Sequence, residues 1–184
     1  MLSRDEAWRL VEEKIESANL RKHVLAVEAI MRGLARHLGE DEELWGLTGL
    51  LHDIDYGETE SRPQMHTVLA GEMLDGKAPA EVIRAIKCHN SEHTGIEPET
   101  AMEKALISAD SLSGLLIACA LVQPTKKMAD VNPRSVKKKF KQKDFARAVS
   151  RERIRMCEEI GIELPQLYEI GLESLKGISE ELGL

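Results

Sequence analysis

His52 and Asp53 stand side by side inside an apolar run, Leu47-Thr48-Gly49-Leu50-Leu51-His52-Asp53-Ile54. Burying either group without a partner costs several kcal/mol, roughly 2–7 for a polar group and more for a charge. A divalent cation offsets that cost, because imidazole and carboxylate are its normal ligands. Four more residues of ligand type lie at suitable places: His23 upstream, and His66, His89 and Asp110 downstream. Asp110 sits in the middle of the most apolar stretch of the chain, where it has no helix end to cap and needs a cation or a donor. Taken singly, each of these is as well explained as a hydrogen-bonded structural residue. Taken as an ordered set on apolar helices, they point to a metal.

His89 and His93 are four apart, as in a helical metal pair. The segment HNSEH is not the metalloprotease pattern HExxH, because Asn90 replaces the glutamate. Thr94-Gly95 signals that the helix is ending, so His89 is read as a ligand and His93 as a pocket or surface residue. His37, beside Arg36 at a helix C-terminus, is read as a surface residue that compensates the helix dipole. The cysteines, Cys88, Cys119 and Cys157, form no CxxC pair, which argues against a disulfide framework and a thiolate zinc site. Cys88 adjoins His89, but neighbours on a helix point in different directions.

The elements that must position these residues read as helices. Ser3 and Glu6 form a capping-box pattern ahead of Ala7, Leu10, Val11 and Ile15. Asn19 is expected to cap a second helix that carries His23, Val24, Val27, Ile30, Met31 and Leu34 and ends near Gly39. Asp41 is expected to cap a third, which runs through the doublet and stops near Gly57. Ser61 and Gln64 around Pro63 predict a fourth that contains His66 and ends near Gly76. Pro79 opens a fifth leading to His89. Thr100 with Glu103 caps a sixth, apolar helix (ALISADSLSGLLIACALV) that stops before Pro124. Asn132-Pro133 begins a lysine-bearing helix; a short helix near 144–160 and a last one after Pro165 complete the chain. With no strand alternation, repeat or linker, the expectation is one compact all-helical domain over residues 1–184.

Composition agrees with that class. The chain has 184 residues, 42% hydrophobic and only 3% aromatic, so the core must be aliphatic and methionine-rich. No run of about 18 apolar residues is found, so no membrane span is expected, and the acidic, amphipathic N-terminus does not read as a signal peptide. A cytoplasmic location is the expectation. Net charge is −7, unevenly spread. Residues 126–143 hold eight basic residues against Asp130 alone, and the remainder, 17 basic and 31 acidic residues, carries −14. Such a patch is either a solvated helix that balances an acidic body or a face for an anionic partner.

The order His23 … His52-Asp53 … Asp110, and the stretch HDIDYG at 52–57, resemble the HD superfamily of metal-dependent phosphohydrolases. His66 and His89 look like the extra ligands of its two-metal members. The resemblance covers about residues 20–120 and leaves about 124–184 as a helical extension that completes the pocket or an oligomer interface. It implies an HD-like helical bundle holding one or two divalent ions (Fe, Mn, Zn, Ni, Co or Mg). Asp53 would bridge them, with His23, His52 and Asp110 on one ion and His66 and His89 on the other. Two cations about 3.5–4 Å apart bind a phosphate and lower the pKa of a water between them, so no protein nucleophile is required. Asp55 would orient the His52 ring, and Lys22, Lys126 and Lys127 are candidates to balance phosphate charge.

The pattern is also similar to bacterial symmetrical dinucleoside-tetraphosphate hydrolases, through His89, Thr94-Gly95 and EKALISAD at 103–110. It departs from them after the doublet, where Asp55-Tyr56 stands in place of a basic residue. The GYP motif of the cyclic-di-GMP phosphodiesterase branch is absent. The resemblance implies hydrolysis of a small phosphorylated substrate such as a nucleotide, on a chain that works alone or as a homo-oligomer. Two other readings stand beside it: a regulatory domain that holds metal or nucleotide without turnover, and nucleic-acid binding through the lysine cluster, which predicts salt-sensitive affinity.

Overall fold

In the computed structural model, which describes residues 2–184, local capping chemistry sets most helix boundaries. Helix α1 (Arg4–Lys14) begins with the Ser3–Glu6 capping box. Helix α2 (Ala18–Leu38) is capped by Ser17, whose Oγ accepts the Leu20 N–H, and not by Asn19, which already lies inside the first turn. It ends at Gly39 in the left-handed conformation, φ 75°. Asp41 caps α3 (Glu42–Leu51) by accepting the Glu43 and Leu44 N–H groups.

Two of the expected helices around the doublet and His66 are shorter than the sequence suggests. Helix α3 stops at Leu51, the doublet lies in the turn that follows, and a single turn, α4 (Tyr56–Thr59), precedes the next break. Residues 61–67 are turns, so His66 lies before α5 (Val68–Leu74) and not inside it. The cause is Asp55. Its Oδ2 accepts the backbone N–H groups of Thr67 (2.7 Å) and Ala70 (2.9 Å), capping α5 from twelve residues upstream of its N-cap, Thr67. That grip holds Thr67 at φ 72°, an unfavourable place for a β-branched residue.

Helix α6 (Ala80–His89) follows Pro79, and α7 (Ser91–Thr94) closes on Gly95. The Thr100–Glu103 capping box starts α8 (Ala101–Leu121). Beyond it lie a 3-10 turn at Met128–Asp130, α9 (Pro133–Phe140), α10 (Arg151–Arg155) running into a second 3-10 turn, α11 (Leu164–Lys176) and α12 (Ser179–Leu182). The helix expected near 144–160 is thus regular only over the five residues of α10. Among the described residues there is no strand; the fold is all-α.

Two buried aliphatic clusters hold these helices. One gathers Ile30, Met31 and Leu34 of α2, Leu106, Leu112 and Leu116 of α8, and Tyr168 and Leu172 of α11. The other joins Ala7 and Val11 of α1, Val24 of α2, Leu47, Leu50 and Leu51 of α3, and Val82 and Ile86 of α6. Burying each such leucine stabilises the fold by about 1.5–3 kcal/mol. Helices α2, α3 and α6 contribute to both clusters. The approach of α3 to α2 is close at Gly49, where a Cβ would meet the Val27 carbonyl oxygen at 2.9 Å. Helix α8 is long and apolar enough to cross a bilayer, against the expectation from the sequence, but 61% of its apolar window is buried inside the protein. It is the central core helix of the bundle.

Candidate metal centre

Five elements bring one side chain or two each to a single point. His23 comes from the second turn of α2, the doublet from the end of α3, His66 from the turn before α5, His89 from the last residue of α6 and Asp110 from mid-α8. The two oxygens of Asp53 face opposite ways. Oδ2 lies 3.6 Å from His23 Nε2 and 3.5 Å from His52 Nε2. Oδ1 lies 3.3 Å from His66 Nε2 and 3.4 Å from His89 Nε2. Asp110 Oδ1 joins the first group, 3.3 Å from His23 Nε2. The result is two three-residue sets of metal-ligand type, His23/His52/Asp53 and Asp53/His66/His89, sharing Asp53.

The donor set fits cations. His52 Nδ1 donates to the Gly49 carbonyl (2.8 Å) and His89 Nδ1 to the Ile86 carbonyl (2.7 Å), each using an orphan carbonyl of its own helix end. His66 Nδ1 donates to the Asp55 carboxylate at 2.8 Å. Ser113 Oγ donates to the Asp110 carbonyl and so accepts from His23 Nδ1 at 3.2 Å. In their neutral forms all four rings therefore carry their proton on Nδ1 and turn an Nε2 lone pair inward. Those lone pairs meet head-on, at 3.2 Å between His23 and His52 and 3.2 Å between His66 and His89. Facing lone pairs repel unless a cation or an added proton lies among them, which is the arrangement of metal-ligating histidines with their outer hydrogen bonds in place.

The electrostatics agree. Burial pushes His52 down to about 4, so its ring is neutral at neutral pH. Burial opposes ionisation of Asp53, but His52, His66 and His89 outweigh it and hold the carboxyl well below the usual range. Asp110 behaves likewise: burial is outweighed by His23 and His52, leaving it at about 2. Burial works against a charged His66, and the Asp53 and Asp55 carboxylates overcome it, raising the ring to about 9. Without metal, His66 holds a proton where an ion would sit.

The remaining sequence candidates are not brought to this point. Lys22 Nζ donates to the Leu182 carbonyl at 2.8 Å, so it ties down α12. Lys126 and Lys127 lie in the exposed turn after α8, outside the cavity wall, because Pro124 ends the helix well past Asp110. His93 is exposed on α7 and bonded to Asn90 Oδ1. Asp55 orients His66, not His52, because His52 already has a backbone carbonyl in reach. Cys88 is buried away from the ligands, where burial pushes its thiol up to about 11.

A cavity of about 400 Å³ opens onto Asp53, His66, His89 and Asp110. Leu20, Tyr56, Asn90 and Arg153 complete its wall. Tyr56 is 38% exposed and stands edge-on to the His66 ring, centroids 5.4 Å apart. Arg153 comes from α10 in the C-terminal extension, and no spacing rule in the sequence singles it out from neighbouring Arg151 and Arg155.

Comparison with known proteins bears on this region. Three curated relatives are each named Ribonuclease Y. That of Acholeplasma laidlawii (strain PG-8A) is 34% identical over 96 residues, 52% of this chain and 18% of its own length. That of Oleidesulfovibrio alaskensis is 30% identical over 99 residues, 53% and 18% respectively. That of Sulfurovum sp. (strain NBC37-1) is 34% identical over 97 residues, 52% and 18%. The chain thus spans less than a fifth of the length of these relatives. No solved structure gives a significant match. Residues 20–115, just over half of the chain and the stretch that carries all six converging residues, match the HD domain. This chain belongs to the HD domain family, a superfamily of metal-dependent phosphohydrolases.

Proposed function

We propose that this chain hydrolyses a phosphate ester or anhydride of a nucleotide, using divalent cations held by His23, His52, Asp53, His66, His89 and Asp110. The observation that carries the reading is the divided Asp53 carboxylate, one oxygen turned to each histidine pair. When bound there, two divalent ions would neutralise phosphate charge and make water nucleophilic at neutral pH. The chain's own groups supply the rest. Asp53 offers both oxygens, the four Nδ1–H bonds fix ring orientation, and the buried Leu50, Leu51 and Ile54 keep bulk water from the inner side of the site. Tyr56 at the cavity wall supports a nucleoside substrate, since an exposed ring beside the phosphate subsite can stack on a base.

The similarity to proteins named Ribonuclease Y favours a second reading, an RNA phosphodiester as substrate. One screen separates the readings: the purified chain with Mn, Fe, Ni, Co and Mg in turn, offered nucleotides, a generic phosphate ester and an RNA oligonucleotide. Metal-dependent turnover of nucleotides above the oligonucleotide supports the first reading, and the reverse order supports the second. Stoichiometric metal binding with no turnover on any of them leaves the regulatory role.

A further inference from the structure

We propose that Arg153 is the phosphate-binding side chain of this centre, a preorganised guanidinium that holds the substrate phosphate against the histidine–aspartate cluster; this rests on the phosphohydrolase reading. Among the described residues, Arg153 is the only permanently positive side chain in the cavity wall. Asn90, the other strong donor there, has both amide hydrogens committed, to the Pro63 and His66 carbonyls.

The geometry is not that of a plain counter-ion. A guanidinium that serves a carboxylate alone normally grips it with two parallel bonds. Arg153 touches Asp110 through Nη2 only, at 3.1 Å from Oδ2, and the same Nη2 donates to the His89 carbonyl at 2.9 Å. Its Nη1 makes no hydrogen bond among the described residues, and its Nε is buried with no acceptor. A donor buried without an acceptor is an anomaly in a native fold. Nη1, which is unbonded and not buried, is the donor that a phosphate oxygen in the cavity would meet.

The arginine is also held ready. Ile154 is fully buried, and its carbonyl accepts from Ser108 Oγ of α8 at 2.8 Å. The Arg153 N–H is capped by Ser150 Oγ. Arg151, two residues earlier, spends its guanidinium on five backbone carbonyls between Phe140 and Val149. The backbone that carries Arg153 is therefore fixed on α8, next to Asp110.

The test uses inorganic phosphate as probe on manganese-loaded wild type, R153K and R153Q. Phosphate affinity is read by calorimetry, bound manganese by elemental analysis and folding by circular dichroism. The proposal expects R153Q to weaken phosphate binding at least tenfold, R153K to fall between the two, and manganese per chain to stay the same. A phosphate affinity that R153Q leaves unchanged overturns the assignment while the metallohydrolase reading stands. Loss of manganese in folded R153Q also overturns it, because the residue then acts by positioning Asp110. Failure of the wild type to bind manganese or phosphate overturns both the assignment and the reading beneath it.

Discussion

The metal centre and the C-terminal extension solve the placement of charged side chains in opposite ways. At the centre, each histidine is locked by a bond within or near its own helix end: His52 to Gly49, His89 to Ile86, His66 to Asp55. Charge is concentrated and buried, and it needs a cation. In the extension, residues 141–149 form no regular helix, and one guanidinium, that of Arg151, substitutes for the missing backbone hydrogen bonds. The first region builds a site from buried, mutually repelling ligands. The second delivers one arginine to that site from a segment with little regular structure of its own. Ligand geometry here depends on rigid helix ends, whereas the arm that reaches over the site is held by backbone carbonyls.

The largest effect expected from breaking the first region is at Asp53. Asp53→Ala removes the group shared by both histidine pairs, and turnover of the best substrate should fall about a thousandfold or more. Helicity should persist, because Leu47, Leu50 and Leu51 still pack α3. Circular dichroism and turnover on one preparation check both; wild-type turnover in the variant would refute the role of Asp53.

A smaller effect sharpens the distinction between ligand and support. Asp55 serves His66 with Oδ1 and the α5 amides with Oδ2, and an asparagine has one acceptor oxygen for both tasks. Asp55→Asn should weaken metal binding about 10–100-fold, the range typical when such outer partners are lost. The wild type should also bind metal more tightly as pH rises toward 9, since His66 must give up its proton to a metal. In the metal-free protein the sign is the reverse for stability. The raised His66 value contributes stability that is fully present below about pH 6.5 and lost as pH passes through 9. Metal titrations at several pH values, with the variant alongside, test both statements.

The mildest perturbation belongs to the extension. Arg151→Ala frees five carbonyls and should lower thermal stability by a net of about 1–3 kcal/mol. Bound metal per chain should not change, because no ligand comes from residues 141–155. A variant that loses metal would show that the two regions are not independent.

Much of the site was readable before the fold. Six residues, His23, His52, Asp53, His66, His89 and Asp110, stand out in the sequence as ligand-type groups costly to bury unpartnered, and the structure brings all six together. Caps at Ser3, Asp41 and Thr100 were legible because capping is local chemistry over three or four residues. The start of α5 was not, because its capping carboxylate lies at Asp55, outside any window that reads local spacing. The lysine candidates failed for a related reason. Lys22 and Lys126 have the right charge, but charge in a sequence carries no direction, and one ties α12 while the other faces solvent.

The sequence by itself determined the family, the all-helical class and the six candidate residues that converge, because each rests on residue chemistry and short-range periodicity. Tertiary structure alone decided which oxygen of Asp53 faces which histidine pair, which ring Asp55 orients and that Arg153 closes the cavity. Apart from the adjacent His52 and Asp53, those are relations between residues 11 to 64 positions apart in the chain, set by how α2, α3, α6 and α8 pack, and a linear pattern holds no record of that packing.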